Sequence, residues 1–409
     1  MGKCGRIGSI LLAVIMATMI TAAGAAPAEE IRVPEIGIPE FEIPENEALD
    51  FAREMKTGWN LGNTFDAYDC WWLQDPMDYE GAWIGGVKTT DGMFGVLQEA
   101  GFQSVRIPVS WHNHVTPVKT EGTVTDWTID GAWLDRVQTV VDWAYGRGMR
   151  VIVNIHHDCD PDYYYPDEAH FENASRYIRS IWSQLAERFR EYDERLIFEA
   201  VNEPRLSKDP AREWQWNAKD PVCLEAMDCI CRLNQVFVDT VRASGGLNGS
   251  RYLMVPAYDA SPHYACDGAF RLPEDSAEGR IIVSAHAYTP YSFALEMPGT
   301  ASFSLEDSGA KSEIGTFMNS LYTRFVSRGI PVVIGEYGAR QKNNAQDRVN
   351  WTAFYLAQAS ARGIPCLWWD NAAFSGDGEL FGILDRRTLQ WPIPEIPETI
   401  MKYAHPAGE

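Results

Sequence analysis

Leu196-Ile-Phe-Glu-Ala-Val-Asn-Glu-Pro204 opens as an apolar run of strand length and closes on Asn202-Glu203-Pro204. A second stretch, Pro331-Val-Val-Ile-Gly-Glu-Tyr-Gly338, repeats the pattern and carries Glu336, 133 positions after Glu203. A carboxylate at the tip of a buried strand is costly unless it faces a cleft. Two of them, each delivered by a hydrophobic strand, point to a paired-carboxylate site. The rest of the chain then reads as the frame that brings Glu203 and Glu336 together.

Working outward, the same kind of run recurs. Strands are predicted at Thr57–Asn63, Ser104–Val109, Arg150–Ile155, Leu196–Val201, Tyr252–Val255, Ile281–His286, Pro331–Glu336 and Pro365–Trp369. Helix-period patterns separate most of them: Leu134, Val137, Val140, Val141 and Ala144 in one, Ile314, Phe317, Met318, Leu321 and Phe325 in another. Gly101, Gly148, Gly329 and Gly363 each follow such a pattern and suit the left-handed residue that closes a helix before the next strand. Residues 256–280 show no clear helix pattern. Strands apolar on both faces, alternating with helices, indicate a parallel sheet covered by helices. Eight units indicate a closed (β/α)8 barrel, the TIM barrel, as a single domain. The alternative is an open doubly wound sheet, which should carry a glycine-rich phosphate turn after an early strand. The first strand instead ends Gly62-Asn63-Thr64-Phe65-Asp66.

Composition bounds the partners. The 409 residues are 45% hydrophobic, enough for one large α/β barrel core. A formal net charge of −22 argues against nucleic acid and anionic membranes, which need a basic patch. Fifteen Trp and seventeen Tyr suit a sugar partner, whose ring faces stack on aromatic rings, although Trp is often structural. Met1 to Ala26 reads as a secretory signal, with Lys3 and Arg6 before the apolar Ile7–Ile20 and a small-residue zone after it. Residues 27–48 carry Pro27, Pro34, Pro39 and Pro44 and read as a linker or an arm along the barrel; residues 49–405 form the barrel itself. Cleavage near Ala26 leaves seven cysteines, and in an exported protein one or two disulfides are expected, within the Cys223–Cys231 cluster or to Cys266. Asp158, Asp160 and Asp162 alternate as in a calcium loop, but Pro161 breaks the turn. His156 and His157 on one strand should point to opposite faces and so not share an ion.

In such barrels the active site lies at the C-terminal strand ends. Read in order, those ends carry Asn60 and Asn63, Arg106, His156 and His157, Asn202 and Glu203, His286 and Tyr288, Glu336 and Trp369. Together the segments Arg106-Ile-Pro108, Asn154-Ile-His-His157, Asn202-Glu203-Pro204, His286-Ala-Tyr288, Gly335-Glu336-Tyr337-Gly338 and Trp368-Trp369-Asp370-Asn371 resemble the ordered motifs of glycoside hydrolase family 5. The opening Gly58-Trp-Asn-Leu-Gly-Asn-Thr-Phe-Asp-Ala67 resembles its bacterial endoglucanase and xyloglucanase subgroup, and the match runs from about residue 55 to 395.

The resemblance implies a secreted, retaining endo-β-1,4-glucanase without metal or cofactor, with a β-glucan polysaccharide as partner and a monomer as the working unit. It implies Glu203 as acid/base and Glu336 as nucleophile, which a retaining enzyme holds about 5–5.5 Å apart. Glu203 should then hold a proton near neutral pH, while Arg106 keeps Glu336 ionised. Tyr288 should donate to Glu336, Asn202 should bind the sugar 2-hydroxyl, and His156 and His286 should complete the polar ring. Trp369 should floor the sugar at the point of cleavage. Asn63, His157, Trp111, His114 and Trp72 are weaker substrate-binding candidates. Xyloglucan- or mannan-directed cleavage remains open, as does a glycan-binding barrel without activity. Intact glutamates, Arg106 and Tyr288 argue against the latter.

Overall fold

The computed structural model describes residues 30–404; the leader-like segment 1–26 and the first residues of the proline-rich stretch lie outside them. Eight strands, β1 Thr57–Leu61, β2 Ser104–Ile107, β3 Arg150–Asn154, β4 Leu196–Glu199, β5 Leu253–Pro256, β6 Ile281–His286, β7 Val332–Tyr337 and β8 Cys366–Asp370, pair in sequence order. All pairs are parallel, and β8 returns to β1, with Gly58 opposite Leu367, so the barrel closes. Every strand falls where the apolar runs predict one. The predicted ends of β1 to β4 overrun the observed ones by one or two residues. The polar residues there belong to loops that leave the sheet to line the mouth.

The four predicted helix-closing glycines carry φ of +105°, +79°, +81° and +66° at Gly101, Gly148, Gly329 and Gly363. The patternless stretch 256–280 holds a 3₁₀ turn, Tyr258–Ala260, and a short α-helix, Pro262–Ala265, in place of a full crossover helix. An unpredicted antiparallel hairpin, Val115–Thr120 with Thr123–Ile129, follows β2. Its turn is Glu121-Gly122, both at positive φ, the geometry that matches strand twist in a two-residue hairpin. It is pinned to the helix Phe171–Arg188 by Gln184 Oε1, which accepts from the Ile129 amide at 3.0 Å.

The N-terminal end of the barrel is plugged by the helix Glu47–Met55, capped by Asn46, whose Oδ1 accepts from the Ala48 amide at 2.8 Å. Its apolar stripe of Ala48, Phe51 and Met55 meets Ile152, Ile197, Met254, Ile282, Val333 and Leu367 from the strands. Phe51 stacks on Tyr252 with ring centroids 3.8 Å apart. Before this helix, residues 32–46 carry neither helix nor strand. The Tyr403 hydroxyl accepts from the Ile36 amide at 3.0 Å, the Tyr322 hydroxyl donates to Glu42 O at 2.6 Å, and the Arg362 guanidinium covers the Phe41 ring at 3.9 Å.

The expected disulfides do not form: all seven described cysteines are free. Cys223, Cys229 and Cys231 share the helix Pro221–Ala243, and no two of them are three or four residues apart, the spacing at which helical side chains meet. Cys231 instead faces Ala269 and Arg271, and Cys229 faces Glu168. The tryptophans divide too. Trp59, Trp111, Trp133, Trp182, Trp351 and Trp368 are fully buried, while Trp71, Trp72, Trp83 and Trp214 are exposed. Among the described residues, no helix is long and apolar enough to cross a membrane.

Candidate active site

Arg106 on β2 is wholly buried and organises the mouth. Its Nε donates to Glu199 Oε2 at 2.7 Å, and Nη1 donates to Glu336 Oε1 at 2.7 Å and to Asn60 Oδ1 at 3.0 Å. Its Nη2 donates to Asn202 Oδ1 at 2.6 Å. The planar fork therefore fixes side chains from β1, β4, β7 and the loop after β4 in one geometry. Glu199 is held again by Asn154 Nδ2 at 2.9 Å and by the Ser284 hydroxyl at 2.5 Å. The site reading of the sequence omits Glu199. The signal was a charge inside the apolar run Leu196–Val201, at a position that must find a buried cation.

Glu336 also accepts from the Tyr288 hydroxyl, at 2.9 Å on Oε2. Burial and the Glu336 charge push the Tyr288 phenol well above its ordinary value, so it remains a donor. Across the mouth, His286 Nδ1 lies 2.8 Å from Glu203 Oε1 and 3.7 Å from Glu336 Oε1. One side-chain atom each from Glu203, His286 and Glu336 all lie within 4.8 Å of one another. The Glu203 side chain is 18% exposed and that of Glu336 6%, so both reach the opening and Glu203 more so.

The surroundings of Glu203 shift its carboxyl in the direction opposite to the one the sequence reading expects. Burial favours a protonated Glu203. The hydrogen bond and charge of His286, with Arg205 and His157, outweigh it and draw the carboxyl below its ordinary value. Burial likewise disfavours the His286 imidazolium, but Glu336 and Glu203 raise it. The charge balance gives the reason. Three carboxyl groups, Glu199, Glu203 and Glu336, lie against two guanidinium groups, Arg106 and Arg205, and the His286 ring sits between Glu203 and Glu336. Held between both glutamates, the imidazole is drawn towards its charged form and Glu203 towards the carboxylate.

Trp369, at the end of β8 and 7% exposed, lies parallel to the His156 ring at 5.7 Å. His156 Nδ1 faces Asn154 Nδ2 at 3.1 Å, and burial beside His157, Arg106 and His286 keeps the ring well below the ordinary histidine value. The ring of His157 packs against His156, Tyr68 and Trp83. Contrary to the opposite-faces expectation, His156 and His157 lie 4.3 Å apart, and one donor atom each from Asp66, His156 and His157 fall within 4.8 Å of one another. The chain has left β3 by then, so strand alternation no longer applies. These three could approach one ion, although Asp66 already accepts the backbone amides of Asn63 and Thr64. Asp158, from the calcium-like run, instead accepts the amides of Trp111 and His112.

The weaker candidates separate. Asn63 takes a left-handed turn, φ +54°, at the rim and is part-buried. Trp111 is fully buried, with Nε1 donating to Asn154 O at 2.9 Å, and His114 is stacked on Trp133 at 3.6 Å; both serve packing. Trp72 is 52% exposed beside Trp71.

The sequence pattern of Cellulase (glycosyl hydrolase family 5) matches residues 65–375. The chain belongs to glycoside hydrolase family 5. It is 43% identical over 358 residues to Endoglucanase B of Ruminococcus albus, covering 87% of this chain and 81% of that one. A family 5 lichenase from Caldicellulosiruptor sp. F32 superposes with a TM-score of 0.88 at 52% identity, over 92% of this chain and 100% of that one. A broad specificity endoglucanase from Ruminococcus champanellensis, solved with bound cellotriose, gives 0.80 at 40% identity, over 88% of this chain and 100% of that one. This family 5 chain is thus a glycoside hydrolase of the cellulase type.

Proposed function

We propose that the enzyme is a retaining endo-β-1,4-glucanase acting on cellulose chains or mixed-linkage β-glucan. The observation that carries this is the approach of Glu203, His286 and Glu336 to within 4.8 Å at the open end of the barrel. An inverting enzyme keeps its carboxyl groups about 6.5–9.5 Å apart to admit a water, and the close pair leaves no such room. Glu336 is the nucleophile: its oxygen attacks the anomeric carbon as the glycosidic C–O bond breaks. Glu203 gives a proton to the departing oxygen. The proton reaches Glu203 from His286 Nδ1, and a bound sugar oxygen in place of solvent favours that transfer. Water then attacks the glycosyl-enzyme ester, Glu203 takes the water's proton, and Glu336 leaves as carboxylate. Tyr288 and Arg106 hold Glu336 in line, Asn202 meets the 2-hydroxyl, and Trp369 with His156 floors the cleaved sugar, with Asn63 and His157 along the rim.

The similarity to a lichenase and to a broad specificity endoglucanase supports a β-glucan substrate that includes mixed linkages. Export through the leader-like Met1–Ala26 accords with a polymer that cannot enter a cell, and the protein acts as a monomer. Reducing-end release from carboxymethyl-cellulose, barley glucan, xyloglucan and mannan tests the substrate, with barley glucan expected to be cut fastest. Glu336→Gln and Glu203→Gln should each lower barley-glucan hydrolysis by roughly 10³-fold or more in protein that is still folded by circular dichroism. Near-normal rates in either variant would refute the assignment. The kcat/KM of the wild type should fall as pH rises through the raised His286 value, since the single proton of the pair is then lost.

A further inference from the structure

The chain carries 57 acidic and 35 basic residues, so an arginine readily finds a carboxylate. On the helix Phe171–Arg188 the last residue, Arg188, pairs with Asp135, and Arg190 just beyond it lies 3.4 Å from Glu187. Arg176 and Arg179 depart from this. They stand three residues apart, so their side chains share one face of that helix. Neither forms an ion pair or a hydrogen bond among the described residues, and Arg176 Nε is closed to water with no acceptor. A guanidinium stays charged at every working pH, and a donor shut off from water and left unmet calls for a partner.

Both arginines line a groove of about 490 Å³ on the outer flank of the barrel, between that helix, the C-terminal end of the helix Pro221–Ala243 and the hairpin after β2. Its size suits a single small ligand. None of the residues lining it belongs to the mouth. Its hydroxyl groups are of one kind. The Thr240 hydroxyl donates to Val236 O at 2.6 Å, that of Ser244 to Val241 O at 2.6 Å and that of Ser183 to Ser180 O at 3.2 Å. With their hydrogens committed inside the helices, these oxygens can only accept from a ligand. Asp126 adds a further acceptor: its Oδ1 takes the Trp127 amide at 2.8 Å and the Ser180 hydroxyl, and its Oδ2 is left open.

The two sets of groups describe one ligand. A guanidinium takes a carboxylate through two parallel hydrogen bonds. Oxygens that can only accept require hydroxyl groups on the same ligand. Asp126, a negative charge in the same groove, disfavours a dianion such as phosphate. A single negative charge on a hydroxyl-bearing ring is a sugar acid. We propose that this groove binds the uronate units of acidic polysaccharides, and so holds the enzyme on acid-bearing material while the mouth cuts a neutral β-glucan. The carboxylate lies between Arg176 and Arg179, and the ring hydroxyls donate to Thr240, Ser244 and Asp126. Binding here involves neither Glu203 nor Glu336 and does not depend on which glucan the mouth cuts.

The test is native electrophoresis of the full-length enzyme through gels cast with glucuronoxylan or with neutral arabinoxylan. A chain of net charge −22 is repelled by a polyanion in general, so retardation in the acidic gel reads a built site. The wild type should be retarded by glucuronoxylan, released by added D-glucuronate but not by D-glucose, and run freely through arabinoxylan. Replacing both arginines, Arg176→Ala with Arg179→Ala, should weaken the retardation by about tenfold or more and leave kcat/KM on barley glucan within about twofold. Arg179→Glu, at an exposed position that tolerates substitution, should lose the retardation as well, and it decides the matter if the double variant melts at a lower temperature. No retardation of the wild type, equal retardation in the two gels, or equal retardation of wild type and variants would overturn the site. Release by inorganic phosphate at a lower concentration than by glucuronate would overturn the sugar acid as its ligand.

Discussion

The two ends of the barrel are made by the same eight strands and solve opposite problems. At the N-terminal end Ile152, Ile197, Met254, Ile282, Val333 and Leu367 close over Phe51 and Met55 with no charge among them. At the C-terminal end the same strands deliver Arg106, Glu199, Glu336 and His286, all buried and all polar. The lower end is held by the hydrophobic effect, which is non-directional and tolerant of shape. The upper end is held by a hydrogen-bonded charge network in which each group is fixed by several others, and which gives way sharply when one partner is lost. One end stores stability and the other stores geometry.

That contrast can be broken from above. Glu199→Gln places an amide N–H₂ among the donors Arg106, Asn154 and Ser284. It should destabilise folding by about 3–5 kcal/mol, in urea titrations, and also depress kcat as the Arg106 fork loses its anchor. An unchanged kcat in folded Glu199→Gln would show that the mouth does not depend on the buried pair. From below, Phe51→Ala should destabilise by about 3 kcal/mol through the lost burial and cavity, with kcat and KM unchanged because the plug lies at the other end of the strands. A change in KM would mean that the ends are coupled.

The remaining effect is set by acid. Burial pushes His114 down to about 4 from 6.5, and His157 down to about 4 as well. A histidine with a lowered value stabilises the fold fully above its unfolded value. That contribution is lost as pH falls from 6.5 towards 4. For His114, buried with neither ring nitrogen hydrogen-bonded, the loss is on the order of 3 kcal/mol. Melting temperature against pH should therefore fall below pH 6.5 in the wild type, and less steeply in His114→Leu. Equal slopes would remove His114 from the account.

Much of this was legible before any coordinates. The apolar runs announced all eight strands because a strand buried on both faces must be continuously hydrophobic, and Glu203 and Glu336 stood out because charge at such positions is costly. The hairpin after β2 went unread since its strands are largely exposed and lack that signature. The free cysteines were misjudged because Cys223, Cys229 and Cys231 were not read as lying on one helix, where their spacing keeps the thiols apart. Sequence by itself determined the barrel, its mouth and the two acidic groups that meet there, because periodicity and burial are local properties of the chain. Tertiary structure alone decided that Arg106 is shared between Glu199 and Glu336 and that the His286 ring sits between Glu203 and Glu336. Those outcomes depend on distances between residues far apart in the chain, where electrostatic energy varies with each ångström and no local pattern encodes it.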